Sequence, residues 1–125
     1  MDGGVYIAAF RLGRARRIAV GRLGVFTFPA GVYLYVGSAQ RNREARLARH
    51  ARRRKPLRWH IDYLSAKAEM LGAILLPGRK ARECAVAEEL ARTFARPVAR
   101  FGASDCRCPG HLFHAPGLAA AVPAA

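Results

Sequence analysis

The densest chemistry in this sequence is a basic run. Residues 41–58 hold Arg41, Arg43, Arg46, Arg49, Arg52, Arg53, Arg54, Lys55 and Arg58 against a single acid, Glu44. Like charges this close repel one another along a helix, so an anion should offset them in the working state. A guanidinium is a planar fork that matches a phosphate. Contact with a phosphate backbone, carried by Arg41, Arg43, Arg49, Arg53 and Lys55, is the favoured reading. A solvated helix face is the plainer one.

Arg46 and His50 stand four apart and so share a helix face. Alone, such a pair is often just two surface polar residues. Tyr6, Tyr33 and Tyr35 fall in β-forming segments, where tyrosines usually pack with a wet hydroxyl. Gly4-Val5-Tyr6 and Tyr35-Val36-Gly37 each set a glycine two residues from a tyrosine, which allows close backbone approach or a bend. Glu83 continues a row with Ala87, Leu90 and Phe94 at the spacing of a buried helical stripe, whereas Glu88 and Glu89 point away. A carboxylate at the edge of a core needs a partner, either an arginine or a metal.

Near the end stands Ser104-Asp105-Cys106-Arg107-Cys108-Pro109-Gly110-His111. Cys106, Cys108 and His111 are compact, and Cys84 or His60 could complete four zinc ligands. Zinc sites usually space their cysteines by two or more residues. Small buried thiols in a tight loop are therefore the favoured reading, and zinc at Cys106, Cys108 and His111 is not expected.

The elements that must position these groups follow from local pattern. Residues 4–10 read as a strand rich in β-formers. Residues 11–17 form a basic turn around Gly13, and 18–20 and 25–28 are short strands or a hairpin. Residues 31–37 are the clearest strand, with Tyr33 and Tyr35 on one face and Val32, Leu34 and Val36 on the other. Residues 43–54 favour helix, with Pro56 beyond its end. A shorter helix is expected over 58–68, a buried strand over 69–76, a third helix over 80–95 and a short strand over 111–114. Residues 115–125 read as a flexible Ala/Pro-rich tail. Strands first, then helix, helix, strand, helix, imply an α+β domain with an antiparallel sheet over residues 1–114.

Composition bounds the rest. The chain has 125 residues, with 22 Lys plus Arg against 8 Asp plus Glu, a formal charge of +14. That length suits one domain. With 52% hydrophobic residues, a core can form and wholesale disorder is not expected. The longest apolar run, Met70 to Leu76, is far below the roughly 20 residues of a membrane span. No secretory signal is visible at Met1-Asp2-Gly3-Gly4. Three cysteines are too few for a disulfide scaffold, so a reducing cytoplasm is expected. The charge makes an anionic polymer the leading partner class, although GC-rich coding would also favour arginine.

Taken in chain order, Gly4-Val5-Tyr6, Tyr35-Val36-Gly37, Arg46, His50 and Glu83 resemble the motif residues of the GIY-YIG endonucleases. The stretches Pro29 to Ala39, Trp59 to Leu64 and Ser104 to Phe113 resemble the DUF123, or Uri-type, branch more closely. The likeness covers residues 3 to 114, and that branch shares the basic insert at 11–28. The resemblance implies a small antiparallel sheet with a three-stranded core flanked by helices. It implies a phosphodiester hydrolase of nucleic acid, DNA before RNA, using one Mg2+ or Mn2+ ion. Carried across, Tyr6 and Tyr35 are the motif tyrosines, Arg46 the catalytic arginine, His50 the helix histidine and Glu83 the metal ligand. Gly37, His60, Asp62, Ser104 and Asp105 are candidates for the surrounding shell. The alternative is a basic nucleic-acid-binding module of the same fold without catalysis. A monomer or homodimer, with a protein partner supplying specificity, is compatible with either.

Overall fold

The computed structural model describes residues 3–103 and 107–116. Ser104, Asp105 and Cys106, and residues 117–125 of the expected tail, lie outside the described residues. The backbone is built on two long strands, β1 (Gly4–Leu12) and β4 (Gly31–Ala39), paired antiparallel along their whole length with Tyr6 opposite Gly37. Between them the chain makes a separate two-stranded sheet of β2 (Arg16–Val20) and β3 (Gly24–Phe28), which is the basic insert. β5 (Glu69–Leu76) joins the free edge of β1, and β6 (Leu112–Ala115) joins β4. Among the described residues the main sheet therefore has four strands in the order β5-β1-β4-β6, compatible with the small antiparallel α+β fold expected. Ala115 pairs with Val32 and belongs to the sheet rather than to a tail.

Alternation along β1 and β4 builds two cores. Tyr6, Phe10 and Leu12 of β1 face the same side as Tyr33 and Tyr35 of β4. There they meet Ile18, Val20 and Phe28 of the insert, together with Ile61 and Leu64. Val5 and Val36 face the other way, toward Ala87, Leu90 and Phe94. A sheet buried on both faces explains why these strands are apolar almost throughout.

β5 departs from the expected buried strand. It is an edge strand, with Ile74 60% and Leu75 49% exposed. An apolar run carries no information about which faces will be covered.

The helices are shorter than their propensity suggests, each for a local reason. α1 (Arg43–Ala51) stops before residue 54. Pro56 biases Lys55 toward extended backbone, and Lys55 Nζ donates to the carbonyls of Arg49 and His50 at 3.1 and 3.0 Å, satisfying helix-end acceptors. α2 (His60–Ser65) begins where Asp62 accepts the backbone N–H groups of Arg58 and Trp59, both at 2.8 Å. α3 (Arg82–Ala91) ends short of residue 95 because Ala95 leaves the helix to bridge His114. None of the described helices is long and apolar enough to cross a membrane.

Candidate active site

The Tyr6 ring lies over Gly37, its partner in the β1–β4 register. A Cβ at residue 37 would sit 2.6 Å from Cζ and the hydroxyl of Tyr6, so only glycine leaves space for the phenol. The Tyr6 hydroxyl is 2.7 Å from Nε2 of His50, which α1 brings across the sheet face. Tyr35 meets the His50 imidazole edge-on, with ring centroids 6.0 Å apart. Gly102 backs Tyr35 in turn. Its φ of +73° and the 2.8 Å approach of Tyr35 to a notional Cβ both require glycine.

Burial sets the protonation of this group. The Tyr6 hydroxyl is pushed above its usual range by desolvation, against the pull of the Arg46 charge. Tyr35 is raised well above the phenol range, again chiefly by burial. Burial, with Lys55 adding to it, lowers His50 to about 4. At neutral pH Tyr6 is therefore a neutral phenol hydrogen-bonded to Nε2 of a neutral His50. His50 Nδ1 has no hydrogen-bond partner among the described residues.

Ser38 connects the two charged members. Arg46 Nη1 donates to the Ser38 carbonyl at 2.6 Å, and Ser38 Oγ donates to Oε1 of Glu83. The Arg46 guanidinium also lies 4.8 Å above the Trp59 ring, with that of Arg49 at 4.5 Å, close enough for cation–π attraction. Glu83 comes from the first turn of α3, with its side chain 12% exposed. Tyr6, Tyr35, Arg46, His50 and Glu83 thus come from four elements to line one cleft of about 560 Å³. Arg41, Arg58 and Lys80 line the same cleft, so among the described residues its lining carries more cations than carboxylates.

The remaining expected residues divide by their partners. Arg49 forms a bidentate pair with the buried Asp62 at 2.6 and 2.9 Å. Asp62 is held below its ordinary range. Burial alone would raise it, but the hydrogen bonds from Arg49, Trp59 and Arg58 outweigh that. Arg43 Nη1 bridges β1 and β5 through the carbonyls of Val5 and Leu76 at 3.1 and 2.9 Å. Lys55, lowered to about 8 mainly by burial, also donates to Ser65 Oγ at 2.6 Å. These three cations, expected to contact phosphate, have their donors engaged inside the protein. Arg41 and Arg53 remain exposed, Arg53 with one bond to the Lys67 carbonyl at 3.1 Å. His60 accepts the Gly102 N–H at 2.8 Å, fixing the loop behind Tyr35.

The sequence assigned no site role to Ser38, Trp59 or Lys80, and it marked Arg58 only as part of the basic run. Ser38 directly follows Gly37, and Trp59 is the chain's only tryptophan. Both had a visible signal, but neither spacing revealed which group they would meet.

The donors at the cleft fit a hard divalent cation. Glu83 supplies a carboxylate and Ser38 a hydroxyl, and Mg2+ takes one or two protein carboxylates while keeping waters. Comparison with curated proteins and with solved structures returned no match. A family model described as "Domain of unknown function DUF123" matches residues 5–123, and the chain belongs to that family.

Proposed function

We propose that this protein is a metal-dependent endonuclease that hydrolyses phosphodiester bonds in nucleic acid, with DNA as its substrate. The observation that carries this reading is the meeting of Tyr6, Tyr35, Arg46, His50 and Glu83 in one cationic cleft. Their likeness to the GIY-YIG motif residues adds support.

The hydrogen bonds of the cleft support the following chemistry. With His50 in the tautomer protonated on Nδ1, water attacks phosphorus as its proton passes to the Tyr6 oxygen and the Tyr6 proton passes to Nε2 of His50. Tyr6 stays neutral and His50 becomes imidazolium; the ester P–O bond opposite the attacking water breaks, and the departing sugar oxygen takes a proton from solvent. A phosphate in the cleft assists by raising the basicity of His50. Arg46, braced on Ser38 and Trp59, stabilises the extra negative charge on the pentacovalent phosphorus. Tyr35, against the His50 edge, orients the attacking water. Glu83 would hold the Mg2+ or Mn2+ ion, which when bound would supply Lewis-acid stabilisation of the phosphate.

The test is a cleavage assay on labelled single-stranded, duplex and branched DNA and on RNA, with Mg2+ or Mn2+, beside Glu83→Ala. Metal-dependent cutting of DNA that vanishes in the variant is the expected result. Tight, salt-sensitive binding with no cutting of any substrate would favour a binding module instead.

A further inference from the structure

Cys84 follows Glu83 on α3 and packs into the second core against the same cluster as Cys108. One donor atom from each of Cys84, Cys108 and His111 lies within 4.8 Å of the others. Cys84 Sγ and Nε2 of His111 are 3.7 Å apart. Cys108 and His111 are 6% and 1% exposed, and neither Cys84 nor Cys108 is in a disulfide. We propose that Cys84, Cys108 and His111 bind a zinc ion through two thiolates and Nε2, clamping α3 to the loop that leads into β6.

The distances suit this ion. Zinc–sulfur bonds of about 2.3 Å and zinc–nitrogen bonds of about 2.0 Å place tetrahedral donors roughly 3.5–3.8 Å apart. The Cys84–His111 separation already has that value, and the widest one closes with a shift of about 1 Å. Two thiolates and an imidazole select zinc over hard cations. Two thiolates also cancel the ion's charge, which removes the main cost of burying it. Binding releases the two thiol protons to solvent.

The loop is held in shape before any ion arrives. Arg100 Nη1 donates to the Cys108 carbonyl at 2.7 Å, and Arg96 Nε to the Gly110 carbonyl at 2.9 Å. Cys108-Pro109-Gly110-His111 has two residues between its ligands. The close spacing that argues against zinc concerns Cys106 and Cys108, and that objection falls away once Cys84 supplies the second thiol. The three donors leave the fourth tetrahedral position to a further ligand.

Zinc on Nε2 would fix the His111 proton on Nδ1, which lies 3.7 Å from Oε2 of Glu83. A carboxylate behind a metal-bound histidine is a recurrent arrangement that orients the ring. Here the same carboxylate has its other oxygen on Ser38 in the cleft. The ion would thus hold Glu83 in place from behind, whether or not the cleft cuts nucleic acid.

The test is elemental analysis of full-length protein purified without chelators from zinc-containing medium. About one zinc per chain is expected, and less than about 0.1 per chain would overturn the site. Cys84→Ser, Cys108→Ser and His111→Gln should each lower zinc occupancy at least severalfold, and full retention in all three would also overturn it. Should the variants fail to fold, Co2+ exchange into the wild-type protein decides the matter. Thiolate-to-cobalt charge-transfer absorption supports the site, and its absence, or a Cys84–Cys108 disulfide in the intact mass, rejects it. Metal content is read without reference to cleavage, so its outcome is separate from that of the nuclease assay.

Discussion

The Tyr6 hydroxyl lies 2.7 Å from Nε2 of His50, although 44 positions separate them in the chain. Both rings are almost fully buried, so this is an interior hydrogen bond with few competing water contacts. If it carries the proton from the attacking water, Tyr6→Phe should lower single-turnover cleavage by about 10²–10⁴-fold. A loss below about tenfold would remove Tyr6 from that role.

The same pair makes stability depend on pH. His50 has an ordinary value of 6.5 when unfolded and about 4 when folded. The unfolded chain therefore binds more protons between those values, so stability is full above pH 6.5 and falls as pH drops toward 4. The loss attributable to this group is at most about 3 kcal/mol. Urea midpoints at pH 7.5 and 4.5 should differ, and His50→Gln should narrow the difference. A wild-type midpoint that is flat across the range would contradict a neutral, buried His50.

Gly37→Ala sets a methyl group against the Tyr6 ring, since a Cβ there meets Cζ and the hydroxyl at 2.6 Å. Overpacking of this kind typically costs about 1–3 kcal/mol. Gly13→Ala is the control, because a Cβ at Gly13 meets nothing within 4 Å and surface changes of that sort stay within about 0.5 kcal/mol. Urea unfolding of the two variants side by side tests the contrast.

Asp62 is completely buried and accepts two bonds from Arg49 and one each from the Arg58 and Trp59 amides. Asp62→Ala leaves the Arg49 guanidinium and the α2 N-terminus without their acceptor. A loss of about 3–5 kcal/mol is expected, the usual result of removing one partner of a buried pair. Glu89→Ala breaks the exposed pair with Arg92 and should leave the thermal midpoint nearly unchanged. Equal effects of the two would refute the structural weight given to Asp62.

The basic run should separate into two classes on nucleic acid. Arg41→Ala and Arg53→Ala should each lower the slope of log affinity against log salt by about 1 with little change in melting temperature. Arg43→Ala and Lys55→Ala should instead lower the melting temperature, because their donors bind carbonyls of β1, β5 and α1. Binding isotherms at several salt concentrations, paired with thermal melts, distinguish the classes.

Local pattern was sufficient wherever one face of one element decided the outcome. The alternation of β4 sends Tyr33 and Tyr35 to one core and Val36 to the other. The four-residue spacing on α1 sets Arg46 and His50 on the cleft side. The row through Ala87 and Leu90 carries Glu83 to the edge of the second core. Each case rests on the period of the backbone, which the order of residues contains in full.

Tertiary structure alone decided which partner each side chain took. Arg43, Arg49 and Lys55 are indistinguishable from Arg41 and Arg53 by sequence, yet the carbonyls and the carboxylate they meet lie on other elements. β5 is as apolar as a central strand, and its exposure follows from standing at the sheet edge. Cys84 joins Cys108 and His111 because α3 packs beside the loop that enters β6. These are contacts between residues distant in sequence, fixed by how the sheet is covered and not by any local periodicity.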